Sequence, residues 1–186
     1  MGLPITKLAS IFPLEKEVNP EIILQDCDFI ELFFYRGKDS LACLLWILDE
    51  GVPREKITLH HHLIDGKGED FMGWPVTGSY CKAVADAFGV NYQESWREGG
   101  FLGEMLRENQ RTKPARFELE PGQLIAIGGT NGKLNTRRKF PQVSASLSVR
   151  WCSLKIDIGS AYLRNNDKFI GKKTLVITGE RARIGF

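Results

Sequence analysis

One glycine and three polar residues, Gly37, Lys38, Asp39 and Ser40, lie between two mostly apolar runs and could bind phosphate. A strand that ends at a glycine and continues as a helix directs backbone N–H groups and the positive end of the helix dipole into one small concavity. Lys38 would add a positive charge and Ser40 a hydroxyl, while Asp39 would cap the helix or contact a bound Mg²⁺. The alternative is an ordinary strand-to-helix connection in which Asp39 or Ser40 only caps the helix.

A second candidate group is the carboxylate of Asp65, which follows the β-branched and apolar run 57–64. That run predicts a strand, and the helical pattern before it favours a parallel βαβ crossover. Open α/β sheets bind their ligands at the carboxyl ends of the strands, so Asp65 is placed where it could contact a ligand. The alternative is a plain Asp-Gly turn.

Three consecutive histidines, His60, His61 and His62, fall within the same predicted strand. Side chains alternate along a strand, so His60 and His62 share one face and His61 takes the other. The run is therefore not a three-ligand metal cluster. We expect a structural role, or one next to a bound nucleotide, rather than metal binding.

Charge is distributed unevenly along the chain. Residues 131–186 carry 12 Lys and Arg against 3 acidic residues, a net charge of +9, which leaves −7 for residues 1–130. Such asymmetry favours an anionic partner for the C-terminal third, such as a nucleotide, sulfate or nucleic acid. Arg137 and Arg138 suit phosphate or sulfate because guanidinium groups pair with such oxygens in a bidentate way. The alternatives are charges that intermingle in space, and a solvated basic loop.

The cysteines are scattered, and no Cys-x-x-Cys pair occurs. They are Cys27, Cys43, Cys81 and Cys152. This spacing argues against a zinc site and against an iron–sulfur cluster, and it favours a reduced, cytoplasmic protein. Cys152 could be a reactive thiol because Arg150 and Lys155 would lower its pKa, or it could be a buried structural cysteine.

Length and composition predict one domain, since 186 residues with 42% hydrophobic residues can form one good core. No apolar run approaches the ~18–20 residues of a membrane span, and the N-terminus lacks signal-peptide features, so we expect no membrane association. An oligomer is compatible with the sequence. We divide the chain into an arm and short helix over residues 1–27 and one domain over residues 28–186, with an irregular basic excursion or lid at about 110–142.

Hydrophobic periodicity and cap residues predict helices and strands that alternate along most of the chain. Predicted helices cover 20–26, 40–50 and 101–109, and a third helix opens within 73–77 and ends at Gly89. Predicted strands cover 29–35, 57–64, 90–95 and 173–178. A further helix that ends near Arg164 is implied by the family resemblance described next.

Four segments resemble the PP-loop superfamily of ATP pyrophosphatases and phosphoadenosine phosphosulfate (PAPS) reductases. Residues 37–40 look like the second half of the family's Ser-Gly-Gly-Lys-Asp-Ser loop, although Tyr35 and Arg36 stand where Ser and Gly are usual. The other three segments are the Asp-Gly loop with the Trp-Pro-Val-Thr helix start at 74–77, the Arg-Trp-Cys-Ser segment at 150–153, and the Gly-x-Arg at 179–181. The likeness is greatest to uncharacterised phage or mobile-element members.

The resemblance implies a three-layer α/β sandwich with a mainly parallel sheet of five or so strands, of the adenine nucleotide alpha-hydrolase type. It implies that the protein binds an adenine nucleotide, ATP or PAPS, and cleaves ATP to AMP and pyrophosphate to activate a substrate, in sulfur metabolism or nucleic-acid modification. Residues 37–40 would hold pyrophosphate, Lys38 would neutralise developing charge, and Asp39 or Asp65 would position Mg²⁺. The basic residues assigned to anionic groups are Arg36, Arg137, Arg138, Arg150, Lys155 and Arg181.

Two alternative functions stay open. One is a reductase-like enzyme for PAPS or its 3′-unphosphorylated analogue, with Cys152 as the nearby thiol, although the reductases use a cysteine on a C-terminal tail and no cysteine follows Cys152. The other is a non-catalytic accessory module in which Tyr35 and Arg36 have disabled the loop and the basic C-terminal third binds protein or nucleic acid.

Overall fold

The computed structural model describes residues 20–35, 37–120, 122–130 and 149–179, together with Leu134 and Phe140. The strands are β1 (Phe29–Phe33), β2 (Ile57–Leu63), β3 (Asn91–Arg97), β4 (Ala115–Glu118), β5 (Leu124–Ile127) and β6 (Thr174–Thr178). The helices are α1 (Pro20–Gln25), α2 (Lys38–Asp49), α3 (Thr77–Phe88), α4 (Gly100–Met105) and α5 (Asp157–Arg164). Short 3-10 helices cover Arg54–Lys56 and Asp167–Phe169, and a π-helical segment, Val149–Ile156, leads directly into α5.

All six strands form one sheet in the order β5-β4-β3-β2-β1-β6. Strands β3, β2, β1 and β6 are mutually parallel, whereas β4 is antiparallel to β3 and β5 is antiparallel to β4. From β1 the chain proceeds to β2 and β3 on one side, and it returns as β6 on the other side. The strand order therefore reverses between β1 and β6, which makes that pair the topological switch point of the parallel part.

The predicted α/β class with a mainly parallel sheet is confirmed, but the prediction of an irregular excursion from 110 to 142 is wrong for part of its length. Strands β4 and β5 lie in this segment and extend the sheet, and a tight connection between them is closed by a 3.1 Å hydrogen bond from Leu119 N–H to the Gln123 carbonyl. Each strand has only four residues, with glycines nearby. Such short strands give little periodicity, so the glycines dominated the sequence pattern.

Alternation along β1 separates the two faces of the sheet. Ile30, Leu32 and Phe34 are buried in the main core against α2 and α3. Glu31 and Phe33 point to the opposite face, which α5 and the π-helical segment cover. There a Cβ on Gly159 of α5 would clash with the ring of Phe33, so the absence of a side chain allows α5 to approach the sheet closely. In the described part of the chain, every helix is too short or too polar to cross a bilayer.

Candidate functional site

A cleft of about 570 Å³ opens at the carboxyl ends of β1, β2 and β6. Its walls come from the segment after β1, from the end of β2 through the loop that leads to α3, and from single residues of the π-helical segment and of the chain after β6. Both the volume and the position at the switch point are typical of a small-molecule site in an open α/β sheet. We therefore take this cleft as the candidate functional site.

Only part of the glycine-containing turn faces the cleft. Gly37 is the residue before α2 (φ −72°, ψ 146°), and it lines the cleft together with Asp39. Lys38 is exposed and is not among the lining residues. Ser40 is buried, and its hydroxyl donates to the carbonyl oxygens of Tyr35 and of Gly37, the latter at 2.9 Å. Ser40 therefore fixes the turn instead of presenting its hydroxyl to a ligand.

Close packing of Gly179 against the start of α2 joins the ends of β1 and β6. A Cβ on Gly179 would lie 2.7 Å from both the backbone nitrogen and the Cα of Ser40, and 3.0 Å from the carbonyl carbon of Asp39. Real Cβ atoms do not approach backbone atoms so closely. The lack of a side chain at Gly179 thus sets the separation between the two sides of the switch point.

Asp65 has one carboxylate oxygen fixed by backbone and one oxygen left over. Its Oδ2 accepts hydrogen bonds from the N–H groups of Phe71, Met72 and Gly73, at 3.0, 2.8 and 2.6 Å. Its Oδ1 is buried and has no hydrogen-bond partner among the described residues. A buried carboxylate oxygen without a donor is costly unless a ligand or cation completes it. Asp65 is therefore oriented by the loop, and its second oxygen is left without a donor in a residue that lines the cleft.

Lys155 places a buried cation at the cleft. The residue is 6% exposed, and its Nζ lies 3.7 Å from the centre of the Tyr35 ring. This distance is within the range of a cation–π interaction, which holds the ammonium group over the ring. Tyr35 itself lines the cleft, so the aromatic ring and the lysine form one continuous wall.

Two of the three histidines also line the cleft, and both are buried. His61 Nδ1–H donates to the Phe34 carbonyl at 3.0 Å, and His62 Nδ1 lies 2.7 Å from Ser95 Oγ. Burial lowers the pKa of His61, and it lowers the pKa of His62 well below its ordinary value, with a further decrease from the neighbouring His60, His61 and Lys155. Both imidazoles are therefore neutral at neutral pH. As expected from strand alternation, His60 and His62 share one face and His61 lies on the other.

The cleft brings together four of the predicted site residues: Gly37, Asp39, Asp65 and Lys155. Lys38 and Ser40 belong to the same turn but do not line it. The remaining site predictions lie outside the described residues and stay predictions: Arg36, Arg137, Arg138, Arg181 and the side chains of Arg150 and Cys152. In the described ranges, no group of three His, Cys, Asp or Glu side chains is arranged to hold a metal ion.

The sequence analysis gave Tyr35 no role in the cleft wall, and it left the histidines either a structural role or one next to a bound nucleotide without singling out His62. The signal for His62 was present, because a strand buried on both faces is normally an apolar run and β2 carries three histidines. Buried polar side chains need partners, so these histidines predict polar residues on neighbouring strands.

No family model matches the chain, and no match was found among curated proteins or solved structures.

Proposed function

We propose that the cleft binds an adenine nucleotide and that the protein cleaves ATP to AMP and pyrophosphate in order to activate an acceptor substrate. The observation that supports this proposal is the convergence of Gly37, Asp39, Asp65 and Lys155 on one cleft at the switch point of the sheet. This set combines backbone donors, carboxylates and a buried cation, the three kinds of group that a magnesium–triphosphate complex requires.

The phosphate groups would lie between the start of α2 and Lys155. The first N–H groups of a helix have no partner within the helix, and those of the 12-residue α2 follow Gly37 at the cleft. Lys155 would provide the compensating positive charge from the opposite segment of chain. In this arrangement the charge-neutralising role that the resemblance gives to Lys38 falls instead to Lys155.

The two carboxylates fit Mg²⁺, which binds proteins through one or two carboxylates and keeps water and substrate phosphates as its other ligands. Asp65 offers its unsatisfied Oδ1, and Asp39 lines the same cleft. When bound, Mg²⁺ would neutralise charge on the leaving pyrophosphate.

Tyr35 supports the cleft instead of closing it. The ring stands where the PP-loop has a small residue, yet a volume of about 570 Å³ remains beside it. The ring also packs against Lys155, so it would hold the cation that takes part in phosphate binding. At the rim, Trp74 is 64% exposed and lines the cleft, which gives a purine base an aromatic face for stacking.

Calorimetric titration with Mg-ATP tests the proposal, with Lys155→Met as the main variant. Loss of one charge-assisted contact of about 2 kcal/mol predicts roughly 30-fold weaker binding. Lys82→Met is the matched control, because Lys82 is exposed on α3 and pairs only with Asp86 among the contacts described. The control should bind ATP as the unchanged chain does, and the unchanged chain should release AMP and pyrophosphate.

Three other outcomes would contradict the proposal. If the Lys155→Met variant binds Mg-ATP as tightly as the unchanged chain does, the phosphate groups do not bind next to Lys155 in this cleft. Tighter binding of PAPS than of ATP would favour the reductase-like alternative. If neither nucleotide binds but nucleic acid binds with a steep dependence on salt, the accessory-module alternative would replace the enzyme.

A further inference from the structure

Four side chains on one face of the sheet form a polar chain beneath the cleft. Glu31 Oε2 lies 3.5 Å from His60 Nδ1, and His60 Nε2 lies 2.8 Å from Ser95 Oγ. The same Ser95 Oγ lies 2.7 Å from His62 Nδ1. The chain thus crosses from β1 through β2 to β3 and returns to β2, and it ends at His62, a residue of the cleft wall.

All four residues are 0% exposed, although each of them is polar or ionisable. The outer end of the chain is closed by Lys168, whose Nζ lies 3.2 Å from Glu31 Oε1. At the inner end, His62 Nε2 is buried and has no hydrogen-bond partner among the described residues. Glu31 Oε2 and His60 Nδ1, which face each other at 3.5 Å, are likewise buried without a hydrogen bond. Buried polar groups are normally satisfied, and His62 lines the cleft, where a ligand could complete this nitrogen.

The donors and acceptors along the polar chain determine which ring nitrogen of His62 carries the proton. Glu31 pairs with Lys168 through Oε1, and its Oε2 faces His60 Nδ1 at 3.5 Å, an arrangement that favours a proton on that nitrogen. His60 Nε2 then carries a lone pair, so it accepts the single hydroxyl proton of Ser95. Ser95 Oγ can then only accept from His62 Nδ1–H. His62 Nε2 is left with its lone pair directed away from Ser95.

We propose that His62 Nε2 is the proton acceptor of the cleft, with Ser95, His60 and Glu31 as positioning residues that keep its lone pair available. The proposal rests on the proposed function, and it adds the class of acceptor substrate. A base is needed when the attacking atom carries a proton, as in a hydroxyl or an amine, but a carboxylate acceptor needs none. We therefore infer an acceptor with an O–H or N–H nucleophile.

The acceptor oxygen or nitrogen forms a bond to the α-phosphorus of ATP, and the bond from that phosphorus to the bridging oxygen breaks. Pyrophosphate leaves with the bonding electron pair, and the acceptor proton passes to His62 Nε2. The imidazolium is then stabilised through Ser95, His60 and the Glu31 carboxylate, as in triads where a carboxylate orients a histidine base.

Several charged or titratable groups surround His62 and influence its proton affinity. His60 and His61 neighbour it on β2, Lys155 faces it from the π-helical segment, and the Tyr35 ring lies 6.3 Å from its ring. Burial and these three basic neighbours all lower the pKa of His62. A base that is neutral at rest and supported by a remote carboxylate is the expected result.

The form of His62 can be measured directly, because the chain contains only three histidines. Long-range proton–nitrogen correlation spectra of the ¹⁵N-labelled full chain distinguish protonated from unprotonated ring nitrogens. We expect His62 to carry its proton on Nδ1. In Glu31→Gln the side-chain amide can donate to His60 Nδ1, which reverses every proton along the chain, so His62 should then carry its proton on Nε2.

Glu94→Gln is the matched control for this measurement. Glu94 precedes Ser95 on β3, but its Oε1 accepts from the Tyr92 hydroxyl at 2.9 Å and takes no part in the polar chain. The control should leave the proton of His62 on Nδ1. A proton on Nε2 in the unchanged chain, or no change in Glu31→Gln, would overturn the proposal.

Measurements of turnover distinguish a failure of the proton-acceptor proposal from a failure of the proposed function. For His62→Gln we expect kcat for pyrophosphate release to fall about 100-fold or more, with a small change in KM and loss of the acid limb of the pH profile. If the variant still binds ATP and its turnover and pH profile are unchanged, His62 is not the proton acceptor, while the proposed function still stands. If the unchanged chain binds no nucleotide, the proposed function fails, and the proton acceptor is judged by the nitrogen spectra.

Discussion

The contact between Gly179 and the start of α2 gives a direct test of how the cleft is built. Gly179 lies outside the left-handed region, so alanine can adopt its backbone conformation without strain. The whole effect of Gly179→Ala should therefore come from the added methyl group. That methyl would lie 2.7 Å from the nitrogen and the Cα of Ser40, which are backbone atoms and cannot rotate away.

Relief of this overlap requires β6 and α2 to separate. Overpacking of this kind costs about 1–3 kcal/mol. For a chain of this size, a loss of about 2 kcal/mol lowers Tm by about 4–8 °C. The separation would also displace Asp39 and the N–H groups at the cleft, so we expect Mg-ATP binding to weaken by about tenfold or more.

Thermal unfolding followed by circular dichroism and calorimetric titration with Mg-ATP measure the two effects. Gly37→Ala is the matched stability control, because a Cβ there meets no atom within 4 Å and φ is −72°. At such a position alanine stabilises by about 0.4–1 kcal/mol, so Tm should stay the same or rise slightly. Native Tm and native binding in Gly179→Ala would refute the claim that this contact defines the cleft.

Three further predictions concern ionisable side chains of the cleft and of the polar chain. Asp65→Asn should abolish the dependence of ATP binding on Mg²⁺, seen by titration with Mg²⁺ and with a chelator; persistence of that dependence would exclude this carboxylate as a ligand. Since burial lowers the pKa of His62 in the folded state, unfolding binds protons in acid. The free energy of unfolding should be constant above about pH 6.5 and fall below it by up to about 1.4 kcal/mol per pH unit for this group, and a flat result in urea titrations would contradict its burial as a neutral base. Lys168→Met should lower the free energy of unfolding by about 2 kcal/mol, because Glu31 then loses its compensating charge. Lys172→Met, at an exposed lysine, should change it by no more than about 0.5 kcal/mol. Equal losses in the two variants would contradict the pairing of Lys168 with Glu31.

Local patterns were sufficient to predict most of the parallel sheet. The predicted strand 57–64 is observed as Ile57–Leu63, and the helix predicted to end before Gly89 ends at Phe88. Both elements carry their signal within a few residues, as an apolar run or as a glycine after an amphipathic helix. Strands β4 and β5 were not predicted, because four-residue antiparallel strands are defined by their neighbours rather than by their own sequence.

Local sequence was sufficient to place a candidate site residue only where that residue directly follows a buried strand. Gly37, Asp39 and Asp65 follow buried strands directly, so their place at the carboxyl edge follows from the parallel topology. The exposure of Lys38 and the inward turn of Ser40 could not be predicted, because they depend on the rotation of α2 about its axis after the turn.

The polar chain beneath the cleft depends on register. Strand pairing sets His62 opposite Ser95, and Phe33 opposite His60. A slip of one residue would turn Glu31 to the other face and break the chain at its first link. The residues involved are widely separated in sequence, so neither their contact nor the direction of the protons could be derived from local spacing.

A purely structural role for this polar chain is possible in principle, because a buried network can specify strand register. Such a role would be complete if both ends were satisfied, and well-packed apolar residues would often serve the fold as well or better. Lys168 pairs with Glu31 Oε1, but Glu31 Oε2 and His60 Nδ1 face each other at 3.5 Å without a hydrogen bond, and His62 Nε2, in a residue of the cleft wall, has no partner among the described residues. The open end has a cost in stability and no structural benefit, so it argues that the chain serves whatever occupies the cleft.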